Sequence, residues 1–436
     1  MDAKSFTALM AVCLTFTAPV RAETLIVPEK YSTIQQAINA AANGDTILVK
    51  PGIYYGPGNR DISLDGKTIT VKSQEGPERT IIDCASNNPD EFHSGFIFNK
   101  EESARTVLDG FTIMHGQALA EHGYNAGAIY VSQSSPTIRR CVFLLNKAQG
   151  QGGAIALYES EAKIEHCVLR QNQADQGGAL ASVDSSPFFS DLQIKQNTAD
   201  TEGAGVYLEN NDNVTFDNTV VMENNAQEKG GGLAVLGGAL KMSNSIIRQN
   251  WARQGAGVFS AEASVFLTNV VLNKNISYAR AALVFEGSAT NTIRLVNTTI
   301  ADNFAQNGGA LFYEEGLRTL SVENSIIWNN FPIGVEDNTG LLRVRYSNIE
   351  EGWAGEGNIR ANPFFVDSQK NDFSLQNFSP AIDAADGDKA PYIDADGESR
   401  YDDKSVSNTG SGNISYADMG AYERQEDSQQ VELDHL

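Results

Sequence analysis

A motif of two small residues followed by an aliphatic one recurs along this chain: Gly127-Ala128-Ile129, Gly153-Ala154-Ile155, Gly178-Ala179-Leu180, Ala204-Gly205-Val206, Gly231-Gly232-Leu233, Ala256-Gly257-Val258, Ala281-Ala282-Leu283 and Gly309-Ala310-Leu311, at intervals of 25 to 28 residues. Eight asparagines keep the same period. Asn146, Asn172, Asn197, Asn224, Asn250, Asn275, Asn303 and Asn330 are spaced by 26, 25, 27, 26, 25, 28 and 27 residues. Two independent columns with one period mark a structural repeat. A unit this short mixes brief β-branched runs with Gly and Asn turns and has no amphipathic helix, so it cannot bury its own apolar face. It must stack on its neighbours, as parallel coils do.

Strand alternation fixes which residues face inward. The third residue before each asparagine is Phe143, Leu169, Ile194, Val221, Ile247, Leu272, Ile300 or Ile327, and the fifth is Cys141, Cys167, Leu192, Thr219, Ser245, Val270, Thr298 or Ser325. Both columns are predicted inside. The asparagines then occupy a turn where stacked amides hydrogen-bond from coil to coil and where Asn tolerates left-handed dihedrals. Cys141 and Cys167 are one coil apart and read as small apolar members of an interior ladder, with a disulfide or metal pair as the alternative. Upstream, Tyr31–Ile38 reads as a helix start with Ser32 as cap and Gln35 in the capping-box position, its apolar face closing the end of the stack. Asp45–Val49 and Lys67–Val71 read as the first strands.

The formal net charge is −23, which disfavours nucleic acid and anionic membranes as partners. Residues 1–22 combine Lys4, an apolar run from Ala8 to Phe16, and Val20-Arg21-Ala22, as a cleaved secretory signal does. That run is too short to span a membrane. Secretion, extracellular or periplasmic, is the expected localisation, and a monomer the expected state.

The repeat, with the opening Ser32–Tyr54, resembles the pectin-lyase-like superfamily of secreted right-handed β-helix proteins, over roughly residues 24–360. Its Gly-Gly-Ala-Ile and Asn pairing is also similar to repeats of chlamydial polymorphic outer-membrane proteins. The implied fold class is all-β: a right-handed parallel β-helix, or solenoid, of about ten coils with an N-terminal capping helix. From residue 361 onward, Asn362-Pro363-Phe364-Phe365-Val366-Asp367, Ser379-Pro380-Ala381-Ile382-Asp383, Asp394-Ala395-Asp396-Gly397 and Asp418-Met419-Gly420-Ala421-Tyr422-Glu423 resemble a choice-of-anchor module. This tail, 361–436, is expected to pack on the last coils of a 23–360 helix. With no hydrophobic anchor before Leu436, free secretion is expected over covalent surface attachment.

The resemblance implies polysaccharide as the substrate class, but fold does not give activity. The clustered Asp, Gly-His-Gly and Arg-x-Lys of a polygalacturonase are absent, as are the Arg-x-Pro-x-x-Arg of pectate lyases and the Asp-Pro-His-Asp of alginate epimerases. What remains is a possible lyase of looser signature, with Lys or Arg abstracting the proton beside a uronate carboxylate. Two residues before the asparagines stand Arg170, Lys195, Met222 and Arg248, pointing outward, so three cations share one face of an acidic protein. Directly after the asparagines the chain reads Lys147, Gln173, Thr198, Asn225, Trp251, Ile276, Phe304 and Phe331. Trp251, Phe304 and Phe331 are candidates to stack sugar rings, or are covered by the returning tail. His115, His122 and His166 read as isolated surface or turn residues. Asp383, Asp386, Asp388, Asp394 and Asp396 offer hard oxygen ligands for calcium, the one cofactor suggested; their other reading is turn chemistry, since Asp386-Gly387-Asp388 lacks the rest of an EF-hand loop. The expected function is polysaccharide binding or a surface interaction module, with a lyase acting on an anionic glycan as the alternative.

Overall fold

The computed structural model describes residues 22–88, 91–119, 126–288, 290–313, 319–337 and 340–425. The leader assigned to 1–22 lies outside these apart from Ala22, as do His122 and His435. The chain winds into a parallel β-solenoid of about 12 turns, rather than the ten expected. Thr24–Val27 pairs in parallel with Thr46–Val49 as an extra first strand, and the uneven loops before Val107 hide the period of the early coils. None of the described helices is long and apolar enough to cross a membrane.

One coil shows the plan. Strands Ile155–Tyr158, Lys163–Glu165, Val168–Arg170 and Gln173–Gln176 follow one another around the axis. Each pairs with its equivalent in the next coil: Ile155 with Leu180, Ile164 with Phe189, Leu169 with Ile194, Gln173 with Thr198. The first three strands of successive coils join a 31-stranded sheet, and the fourth forms a separate 8-stranded one. Both predicted inward columns are fully buried. Cys141 and Cys167 are buried free thiols, as the interior-ladder reading requires.

The asparagine ladder is present, with one correction. Asn224, Asn250 and their equivalents are buried, and from Asn172 onward each side-chain oxygen accepts from the asparagine one coil earlier, from both its backbone and side-chain nitrogens. The left-handed residue, however, is the one before: Leu145, Gln171, Gln196, Glu223, Gln249, Lys274, Asp302 and Asn329 have φ between 54° and 58°. The asparagine needs ordinary dihedrals so that its amide turns inward to the ladder. The corner is therefore made by a residue whose type the sequence leaves free.

At a third corner the backbones of adjacent coils approach so closely that a Cβ on Gly153 would lie 2.1 Å from the Gly178 carbonyl. That approach explains the small-residue motif. At the N-terminal end the helix Ile34–Ala40 seats Ile34, Ala37 and Ile38 against the first coil. Its cap is Thr33, accepting from Gln36, rather than Ser32. Gln35 instead clips both its amide groups to Ser63, which removes it from a capping box.

The last described segment folds back along the coils. Phe365–Asp367 and Asp372–Leu375 form a short antiparallel hairpin. A second column of left-handed corners, Asn269, Asn297 and Asn324, binds this segment: Asn269 donates to the Ile393 carbonyl, Asn297 to those of Asp418 and Gly420, and Asn324 to that of Asp386.

Candidate functional site

The strand ending at Arg170 is three residues long and sits between two left-handed corners, so its middle residue points inward and its outer two point outward. Register carries this strip through the molecule. Its second outward column runs Tyr55, Asp83, Met114, Leu144, Arg170, Lys195, Met222, Arg248, Asn273, Ala301, Trp328, every step a paired position. The other outward column is Val142, Val168, Gln193, Val220, Ile246, Val271, Thr299 along the same coils. Arg170, Lys195 and Arg248 thus share one line, with Met222 between the last two.

The returning tail divides this strip. Val271, Thr299 and Ala301 are buried, with Phe373 and Ala421 packed over Val271 and Ala301, and Asn273 donates to Asn371. Ile246, half-buried, packs against this same cluster, as do Phe365, Ala395 and Tyr422 of the tail. Among the described residues, no coil before the one that carries Ile246 and Arg248 joins the tail's apolar clusters. At the far end Tyr55 and Asp83 line a cleft of about 600 Å³ with Arg60 and Glu91.

Several basic residues of the coils are paired with carboxylates. Arg139 and Arg140 both bind Asp109, Arg253 pairs with Glu228, and Arg294 with Glu323. Among the described residues Arg170, Lys195 and Arg248 meet no carboxylate. Lys195 donates to Gln193 at 3.3 Å, and Arg248 reaches only the Met222 sulfur at 3.4 Å, its ε nitrogen buried without a partner. Tyr422 lies beside Arg248; burial pushes its hydroxyl well up, and Asp396, Asp394 and Asp372 add to the shift.

The aromatic column lies around the asparagine corner, on the 8-stranded sheet. Trp251 pairs with Ile276, Ile276 with Phe304, and Phe304 with Phe331. Their small neighbours Ala252, Ser277 and Ala305 fill the buried side. Trp251 is 43% exposed, Phe304 39% and Phe331 60%, so the described part of the tail does not bury them, as one of the two readings of the sequence had it. Phe304 and Phe331 stack on each other, with centroids 5.4 Å apart and planes 5° apart. That separation is close to the coil spacing of about 4.8 Å, so each ring occupies one face of the other. Trp251 instead meets Tyr278 edge-on, and a cleft of about 370 Å³ opens beside it against Glu223, Asn225 and Gln249. Tyr278, itself 53% exposed, has no marker in the sequence because it lies two residues past the column that was followed.

Three of the described histidines lie singly beside carboxylates. His115 contacts Asp83 at 3.0 Å, His93 contacts Asp61 at 2.6 Å, and His166 lies 3.5 Å from Asp191. His115 and His166 both occupy left-handed corners. In the tail, Asp394 accepts from the amides of Asp396, Glu398 and Glu423, and Asp388 from that of Asn413, which is turn and clamp chemistry. Asp386 accepts from the Asp388 amide, and Asp396 is exposed. Asp383 differs: it is fully buried, both carboxylate oxygens lack a hydrogen bond, and burial together with Asp402 pushes it up to about 7. Among the described residues no three His, Cys, Asp or Glu side chains converge as a metal site.

Comparison with known proteins agrees with this architecture. Residues 184–350 match the family described as "Right handed beta helix region". The fold is a right-handed parallel β-helix. No curated protein matches the sequence. Among solved structures, the β-helix superposes on XylC in complex with xylose with a TM-score of 0.52 at 9% identity, covering 92% of this chain and 98% of that one. It is also similar to the pectate lyase Pel9A, with a TM-score of 0.49 at 14% identity and coverage of 92% and 96%. For AlyGC, a PL6 family alginate lyase, the TM-score is 0.46 at 12% identity, with coverage of 84% and 58%. At such identities the likeness is one of fold.

Proposed function

We propose that this β-helix is a secreted protein that binds an anionic polysaccharide along the open strip. The observation that carries the reading is the line Arg170, Lys195, Arg248: cations without carboxylate partners, in register, on the face of a chain with net charge −23. Unpaired cations on an otherwise acidic surface attract a ligand that the rest of the surface repels. The coil spacing of about 4.8 Å sets the charges at intervals that a uronate chain can follow. Trp251 and Tyr278, across the asparagine corner, offer apolar contact to sugar rings. Fold likeness to XylC, whose structure holds xylose, agrees with a sugar ligand.

The adjacency of Arg170 and Lys195 favours a second reading on the same strip. One, as a cation, would neutralise a uronate carboxylate while the other, in its neutral form, takes the proton from the carbon beside that carboxylate; the C–H electrons form a carbon–carbon double bond and the glycosidic oxygen leaves, as in a lyase. One experiment tests both. Purified protein is titrated with polyuronates and with neutral glycans by calorimetry, while ultraviolet absorbance follows any unsaturated product. Binding to polyuronate that weakens at least about tenfold in the Arg170→Gln, Lys195→Gln double variant is expected. A rise in absorbance would convert the binder into the lyase. Retention by neutral glycans alone, or by none, would refute the strip as the site.

A further inference from the structure

Resting on that reading, we propose that the tail is an end-stop: the β-helix binds the terminus of an anionic chain, with Arg248 contacting its last charged sugar. The strip is open over the coils from Tyr55 to Arg248 and covered from Asn273 onward. A ligand lying along it and moving toward the C-terminal coils meets Tyr422 and the Phe365–Leu375 hairpin directly after Arg248. The part of the tail around Tyr422 is also acidic. Asp372, Asp394 and Asp396 all act on Tyr422, with Arg248 as the opposing charge. A polyanion continuing past this point would bring its own carboxylates toward Asp372 and Asp396, the two of these that are not buried.

The distribution of charge along the strip points the same way. Its cations occupy the half beside the tail, while Asp83 stands at the opposite end. The strongest attraction therefore acts on the sugars next to the wall. Arg248 is also free to take a carboxylate, since its η2 nitrogen meets only a thioether. Every uronate of the chain, the last included, presents two oxygens to a guanidinium.

Stoichiometry separates end binding from binding anywhere along a chain. Calorimetric titration with size-defined oligouronates, from short to long, should give one protein per chain at every length. Arg248→Gln should weaken binding of short and long chains alike by about tenfold, with the β-sheet circular dichroism unchanged. If the number of proteins per chain rises with length, internal sites are bound and the end-stop is wrong, while the anionic-strip reading survives. If wild type binds no uronate of any length, both readings fall. An Arg248→Gln variant of undiminished affinity, beside a weakened Lys195→Gln, would remove Arg248 from the site.

Discussion

Cutting the asparagine ladder tests what holds the coils in register. In wild type the Asn250 side chain is buried and makes four hydrogen bonds: its oxygen accepts from the backbone and side-chain nitrogens of Asn224, and its nitrogen donates to the Val221 carbonyl and the Asn275 side-chain oxygen, all at 3.0 Å. Asn250→Ala leaves the Asn224 amide with no acceptor in a buried corner. The other three groups keep another partner or lose one of several; the Asn224 side chain still reaches the Ile194 carbonyl, and the Asn275 oxygen still accepts from the Asn250 amide. One orphaned buried donor costs about 1–3 kcal/mol and each of the three further lost bonds about 0.5–1, so the expected loss is about 2.5–6 kcal/mol. Gln249→Ala is the control, a half-buried neighbour whose left-handed backbone suits neither residue better. It should change stability by less than about 0.5 kcal/mol. Urea unfolding followed by circular dichroism measures both, and equal midpoints for the two variants would refute the ladder as a stabilising element.

Three further outcomes follow from the geometry. Gly153→Ala should destabilise by about 3 kcal/mol or more, because its Cβ would meet the rigid Gly178 carbonyl at 2.1 Å rather than a side chain able to move; a thermal midpoint within a degree or two of wild type would contradict the close approach. Asp383, held up to about 7 against an ordinary 3.8, keeps its proton in the folded chain where the unfolded chain has lost it, so stability falls as pH rises from about 4 to about 7 and then levels. Asp383→Asn should flatten that slope and be more stable than wild type above pH 7 but not below pH 4; parallel melting curves across that range would overturn the assignment. Of the three tryptophans, Trp251 should dominate any fluorescence shift on adding oligouronate, and a shift that persists in Trp251→Ala would take the aromatic column out of the site.

The repeat was readable because a solenoid converts sequence period directly into register. Once Asn224 and Asn250 share a column, Val221 and Ile247 must as well, and so must Met222 and Arg248. The line of cations was legible for the same reason. What escaped has no period. The left-handed corner falls on Leu145, Gln171 and Glu223, whose types carry no common signal because only their backbone matters. Thr24–Val27 has no repeat before it to be compared with. Thr33 takes the cap from Ser32 because Gln35 is drawn away to Ser63, a partner 28 residues on. The path of the tail depends on contacts such as Asn297 with Gly420, more than a hundred residues apart. It decides that Trp251 stays open and that the strip ends at Arg248, and no local pattern records either fact.

An acidic protein that binds a polyanion must reconcile opposite fields, and distance does so. At low ionic strength, near 0.01 M, the Debye length is about 30 Å, comparable with the open strip, whose seven coil spacings of about 4.8 Å span roughly 34 Å. The approaching chain then senses the whole molecule, and the net charge of −23 repels it. Near 0.15 M the length shrinks to about 8 Å. Distant carboxylates are screened out while Arg170 and Lys195, one coil apart, still act on whatever lies on the strip. At 1 M, about 3 Å, their attraction is screened too. Affinity for a polyuronate should therefore pass through a maximum at intermediate salt, unlike the steady decline expected of a basic protein. A titration series in which affinity falls monotonically from 0.01 M upward would mean that the net charge plays no part, and that the ligand contacts some face other than a cationic line set in an acidic surface.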